Sequence, residues 1–273
     1  MIDKTNYSLE EIRRDLDELG NKILDLYLQR KTQKYICAEL NITRGKIDTL
    51  VKKYKLTRFR ERSRFMLNED AININNPEFC YFLGVFASDG NLHYTGGSDV
   101  IQFTQKDKQL EEDLIKILSF TGTIKEYKKE KGTYYYLQII NKKLTACIKE
   151  LFNGGYRKTS TLKMPKLPNK DCYSMFFRGF WDGDGCFSKQ NPKSGRYMAE
   201  MYCDSPEFLI EWKNILDKYN INSHISKDTK RFAISAKLDV LKFMEFIYSY
   251  PSTVGLQRKR VLYEKHKETV LNN

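Results

Sequence analysis

The chain has 273 residues, 41% of them hydrophobic and 13% aromatic, with 47 Lys and Arg against 35 Asp and Glu. That composition supports packed cores and excludes global disorder, and the formal net charge of +12 points to a polyanionic partner. Six scattered cysteines without a C-x-x-C pair, beside three histidines, give zinc ligation no framework and predict free thiols in a reducing compartment. The first residues carry no apolar signal core and no apolar run reaches membrane-spanning length. Together these predict an intracellular protein, cytoplasmic or nucleoid-associated, with no membrane partner.

Residues 1–60 read as a small all-α domain. Ser8 caps a helix that carries Ile12, Leu16 and Leu19 and ends at Gly20, and a second helix follows with Ile23, Leu24, Tyr27 and Leu28 on one face. A short helix begins at Thr32 and a last one at Thr43, separated by a turn at Asn41-Ile42. Residues 61–78, basic then Asn-rich, read as a linker. A mixed pattern then occurs twice. Over 79–162 it runs helix 79–88, strands 91–95 and 99–104, helix 107–119, strands 122–128 and 133–140, helix 142–152. A tether over 163–170 contains Pro165 and Pro168. Over 171–273 the order repeats: helix 173–183, strands 185–189 and 196–203, helix 206–219, strands 221–227 and 231–236, helix 238–249, and a further basic helix from Gln257. The fold class is therefore α+β, two pseudo-symmetric αββαββα units behind a helical domain.

Each unit opens with the same nine-residue pattern. Phe82-Leu83-Gly84-Val85-Phe86-Ala87-Ser88-Asp89-Gly90 is echoed by Phe177-Arg178-Gly179-Phe180-Trp181-Asp182-Gly183-Asp184-Gly185. Gly84 with Ser88, and Gly179 with Gly183, are small residues four apart, which let two helix backbones approach closely. Leu83, Phe86, Phe180 and Trp181 then face each unit's own core. Asp89 and Asp184, in the last turn, would come together on the shared axis. Two such carboxylates attract a hard divalent cation, Mg²⁺ or Mn²⁺, suited to phosphate chemistry. The alternative is that both acids simply end helices, although a carboxylate opposes the dipole at a helix C-terminus.

Two matches at domain spacing, each followed by β-β-α-β-β-α, resemble the LAGLIDADG homing endonucleases in their single-chain, two-motif form. The resemblance covers about residues 79 to 270. It implies a metal-dependent endonuclease that cuts both strands of duplex DNA at one site as a monomer, with the metal on Asp89 and Asp184, the eighth motif positions. The sixth position is Asp182 in the second copy and Ala87 in the first, a departure that leaves the metal position intact. Lys158 and Lys259, in similar places after each unit, are the implied catalytic lysines.

In that family the two sheets form a saddle over DNA. Alternation places Ile101 and Phe103 in the core and Gln102 and Thr104 toward the major groove. Lys125 or Tyr127, Arg196 or Glu200, Lys227 and Arg231 extend the face. In residues 1–60, Ile36 to Ile47 looks like a helix-turn-helix, with Asn41 in the left-handed turn. Thr43, Arg44, Lys46 and Thr49 would meet base edges and Lys52 phosphate, with Arg58 and Arg60 continuing along the backbone. Two other functions fit a basic two-motif chain: a sequence-specific DNA-binding transcription regulator on a nuclease scaffold, and an RNA-splicing maturase.

Overall fold

The computed structural model describes residues 8–29, 31, 33–54, 56, 65–130, 132–156, 158–189 and 197–271. The chain divides into two compact units, 1–64 and 65–273.

The first unit holds α1 (Leu9–Arg14), α2 (Glu18–Leu28), α3 (Gln33–Glu39) and α4 (Arg44–Lys53). Ser8 starts α1 through a reciprocal capping box with Glu11. Gly20 does not end this helix, as the sequence reading expects. Asp17 accepts from the Gly20 N–H at 2.6 Å and caps α2, so Gly20 lies in the first turn of the next helix. Ile12, Leu24, Ile36 and Ile47 close the core, and Asn41 takes the left-handed backbone (φ 49°) between α3 and α4.

The second unit contains two copies of one arrangement. The first comprises α5 (Pro77–Asp89), β1 (Asn91–Thr95), β2 (Ser98–Gln105), α6 (Lys108–Leu118), β3 (Lys125–Lys129), β4 (Gly132–Ile139) and α7 (Lys142–Leu151). The second comprises α8 (Lys170–Asp184), β5 (Gly185–Lys189), β6 (Tyr197–Tyr202), α9 (Pro206–Asp217), β7 (His224–Ile225), β8 (Arg231–Ile234) and α10 (Lys237–Ile247), followed by α11 (Gln257–Leu271). Both sheets are antiparallel and share one topology, β1-β2-β4-β3 and β5-β6-β8-β7. Each buries one face against its helices: Leu92, Ile101, Phe103, Leu137 and Ile139 in the first, Ala199, Met201, Phe232 and Ile234 in the second.

Several boundaries depart from expectation: β3 begins at Lys125 instead of 122, and α8 at Lys170 instead of 173. Strand β7 covers two residues instead of 221–227, because Ile221 turns inward after α9 and Ser226 to Lys230 form a tight turn. The reading of 61–78 as linker fails for 65–76. Asn68 donates to the Leu118 carbonyl and Thr121 to that of Met66, while Leu67, Ile72 and Ile74 pack on the core. Similarly, Leu167 of the 163–170 tether is buried.

Helices α5 and α8 are capped by Asn76 and Asn169. From Phe79 to Ala87, α5 is buried on all sides, as a helix shared between two cores must be. Gly90 and Gly185 carry ordinary extended backbone (φ −72° and −74°), so each helix passes directly into a strand.

On α6, Glu111 is fully buried, and desolvation pushes its carboxyl up to about 8, with the Gln105 backbone offering partial relief. Folding therefore favours its protonated form. The penalty is absent below the ordinary carboxylate range, grows from about pH 4.5 to about 8, and is complete above that. Glu111→Gln should raise the melting temperature at pH 9 and leave it nearly unchanged at pH 4, as measured by thermal unfolding at both.

Candidate active site and nucleic-acid face

The crossing of α5 and α8 is the most extensive contact between described elements, and it depends on two reciprocal glycines. A Cβ at Gly84 would stand 2.7 Å from the Phe180 backbone nitrogen and 3.0 Å from the Phe176 carbonyl carbon. One at Gly179 would stand 3.0 Å from both the Tyr81 carbonyl carbon and the Val85 nitrogen. Backbone meets backbone here, so nothing could yield to a methyl group. Toward the C-terminal ends, a Cβ at Gly183 would come within 2.7 Å of the Ser88 Cβ and collide with the Asp89 carboxylate. Asp89 thus lies against the turn that carries Asp184.

The two acids share one electrostatic environment. Burial, then the Asp89 charge, pushes the Asp184 carboxyl up to about 6, and Lys158 and Lys259 oppose this. Both lysines are pulled down to about 8 by burial, with the charges of Asp89 and Asp184 acting in the opposite direction. All four residues singled out from the sequence therefore converge.

Each lysine closes the end of one motif helix. Lys158 Nζ donates to the carbonyls of Ala87 at 2.7 Å and Ser88 at 3.1 Å, at the end of α5. Lys259 Nζ donates to those of Trp181, Asp182 and Gly185 at 2.5, 2.9 and 2.7 Å, at the end of α8. A helix C-terminus carries partial negative charge and unpaired carbonyls. The lysines satisfy both, which is how this fold tolerates two carboxylates there.

Sequence reasoning missed the network that sets Lys259 in place. Asp182 accepts from the Tyr81 hydroxyl of α5 and from the Leu256 N–H, both at 2.9 Å, and burial pushes its carboxyl up. Gly255 donates to Asp113 at 2.8 Å and accepts from Gln109 at 2.9 Å, both on α6 of the first repeat. In the other direction Leu162, four residues beyond Lys158, is held by Ser205 ahead of α9 (2.7 Å), and Met164 by Glu211 (2.9 Å). Each lysine-bearing segment is thus braced by the opposite repeat. No pattern within one repeat reveals such a contact.

A cleft of about 240 Å³ opens beside this centre, lined by Ser88, Lys158, Asp184, Cys203 and Lys230 among others. No group of three or more His, Cys, Asp or Glu residues suited to a metal occurs among the described residues. Two hard carboxylates suffice for Mg²⁺ or Mn²⁺, which keep water and phosphate oxygens as remaining ligands. Asp89 lies against the turn that carries Asp184, so two carboxylate donors stand together and the donor set fits such an ion.

The outer face of the first sheet contains the residues expected there. Gln102, Thr104 and Lys125 lie opposite the buried row of Ile101, Phe103 and Leu137. Lys125 and Tyr127 are on this same face, two residues apart, together with Tyr134 and Tyr136. Tyr127 stacks on Tyr134, with Lys129 over both rings and Lys106 over Tyr134. On the second sheet, Arg231 is engaged with Glu200 at 2.7 Å, so its charge is partly spoken for. Lys227 is exposed in the β7–β8 turn. In the first unit Thr43, Arg44, Lys46, Thr49 and Lys52 are exposed along α4 and its cap, with Arg44 near Asp48 (3.7 Å) and Thr49 donating to the Gly45 carbonyl. Arg58, Arg60 and Arg196 lie outside the described residues.

The LAGLIDADG-like domain family model matches residues 76–152 and 171–248, more than half of the chain. The chain belongs to the LAGLIDADG-like family. No curated protein sequence matches it. Among solved structures, full-length DUF199/WhiA from Thermatoga maritima is 21% identical (TM-score 0.47), covering 75% of this chain and 64% of that one. This chain therefore spans just under two thirds of that protein's length. Mesophilic variants of the homing endonuclease I-DmoI are 19% identical (TM-score 0.49), covering 70% and 99%. I-DmoI in complex with DNA and Ca is 20% identical (TM-score 0.44), covering 65% and 92%. No described helix of this family member is long and apolar enough to cross a membrane.

Removing Lys259 takes a buried donor from three carbonyls, of which Trp181 keeps the Gly185 N–H, and a buried carbonyl left unpaired costs about 1–3 kcal/mol. Lys158 serves two in a part-buried place. Lys259→Met should lower the melting temperature more than Lys158→Met, as measured by thermal unfolding of the two variants side by side.

Proposed function

We propose that this protein is a site-specific endonuclease that hydrolyses both strands of duplex DNA, with a divalent cation held by Asp89 and Asp184. The observation that carries this reading is the arrival of both carboxylates at one helix crossing, in a protein of net charge +12. Bound there, Mg²⁺ or Mn²⁺ would supply Lewis-acid stabilisation of a scissile phosphate and a more acidic water. Asp89 and Asp184 hold the ion between the two half-sites. Lys158 uses two N–H groups on helix carbonyls and lines the cleft, which leaves it a donor for a phosphate oxygen. Lys259 has three carbonyl acceptors and keeps the end of α8 rigid. The outer sheet faces, through Gln102, Thr104, Lys125, Lys227 and Arg231, hold the duplex, with Arg196 assigned to the same face.

The first unit acts as a helix-turn-helix module that lengthens the footprint. Thr43, Arg44, Lys46 and Thr49 approach bases, and Lys52, Arg58 and Arg60 approach phosphates. One chain contains both repeats, so a monomer suffices for an asymmetric target.

Incubation with a randomised duplex library and Mg²⁺ should yield double-strand cuts at one class of site. Asp89→Asn and Asp184→Asn should each reduce cutting at least a thousandfold and retain binding. Specific binding by the unaltered protein with no cutting in Mg²⁺ or Mn²⁺ would instead identify a DNA-binding regulator on the same scaffold.

A further inference from the structure

The outer faces of the two sheets differ chemically at equivalent positions. Asn91 follows Asp89 by two residues, and Cys186 follows Asp184 by two. In the first sheet Asn91 pairs with Gln102, which pairs with Gln138, so three carboxamides form one cross-strand row beside the acids. This row lies on the face opposite buried Ile101 and Leu137, and its members are exposed or half-buried. Gln102 Oε1 accepts from the Tyr136 hydroxyl at 3.3 Å, which orients its amide. The equivalent row of the second sheet is Cys186, Glu200 and Ala233. It has no carboxamide, and its one charged member is held by Arg231.

A carboxamide presents a donor and an acceptor side by side. In the major groove that pattern matches adenine, whose N7 accepts and whose N6 donates, whereas guanine offers two acceptors and calls for Arg or Lys. Adjacent strands lie about 4.8 Å apart and successive base pairs rise about 3.4 Å, so a row of three strands spans about 9.6 Å, or roughly three steps. A three-strand row therefore reaches neighbouring steps rather than a single pair.

Building on the endonuclease reading, we propose that Asn91, Gln102 and Gln138 read adenines of A·T pairs within a few steps of one another, flanking the cleavage centre on the first repeat's side. The row Cys186–Glu200–Ala233 imposes no such requirement on the other side. The target is thus asymmetric in composition, A·T-restricted next to one side of the cut. Lys106, Lys125 and Lys129, further out on the same face, supply the sequence-independent attraction to phosphate that keeps the sheet in the groove.

The test uses the full chain and a randomised duplex library, with Ca²⁺ replacing Mg²⁺ so that bound duplexes are recovered and sequenced. We expect adenine at two or three positions within a few steps of one another on one flank only, preferred on the order of tenfold or more per position. Gln138→Ala should relax one of those positions and Gln102→Ala a neighbouring one, with preferences on the other flank unchanged. Both side chains lie on an outer face, and unaltered thermal unfolding would show that the fold is retained. Recovered sites with G or C at those positions, or adenine preferences that survive both substitutions, would overturn this assignment and leave the endonuclease reading standing. No duplex recovered at all would overturn both.

Discussion

Two helices in backbone contact organise this molecule. Gly84 and Gly179 each occupy a place where the opposite helix leaves no room for a methyl group, and the closeness of α5 and α8 follows from that. Because each helix also serves the core of its own repeat, Phe79 to Ala87 is apolar on every side, and the helices can neither rotate nor slide without disturbing both cores. The convergence of Asp89 and Asp184 is therefore a consequence of core packing.

Such a crossing creates an electrostatic problem. Two helix C-termini and two carboxylates concentrate negative charge in a partly desolvated place. Lys158 and Lys259 answer half of it by donating to the terminal helix carbonyls. Burial and, after it, the Asp89 charge push the Asp184 carboxyl up to about 6. The packing of Asp89 against the turn that carries Asp184 is the physical argument for a cation. Bracing of each lysine segment by the opposite repeat, through Asp113 and Gln109 in one direction and Ser205 and Glu211 in the other, makes the centre a joint product of the two repeats.

Much of this was legible in the chain because it is written in local spacing. The repeated nine-residue pattern gave the helix crossing, and period-two alternation gave the outward positions of Gln102 and Thr104. What lay hidden depends on contacts distant in sequence. The role of Lys259 as a cap on three carbonyls, the tie from Tyr81 to Asp182 and the ion pair of Arg231 with Glu200 all join separate segments. Gly20 misled because a glycine reads equally well as a helix end and as a first-turn residue beneath an Asp17 cap. The polar composition of 65–76 suggested a linker, but its few apolar residues, Leu67, Ile72 and Ile74, are enough to dock it on the core.

The central claim is that Asp89 and Asp184 face one divalent ion at the helix crossing. Its most direct test is anomalous scattering from Mn²⁺ in crystals of the full chain with an uncleavable duplex. The account predicts a peak within coordination distance of a carboxylate oxygen from each residue, beside a phosphate of the duplex. Manganese bound elsewhere, with the two carboxylates turned apart, would contradict it.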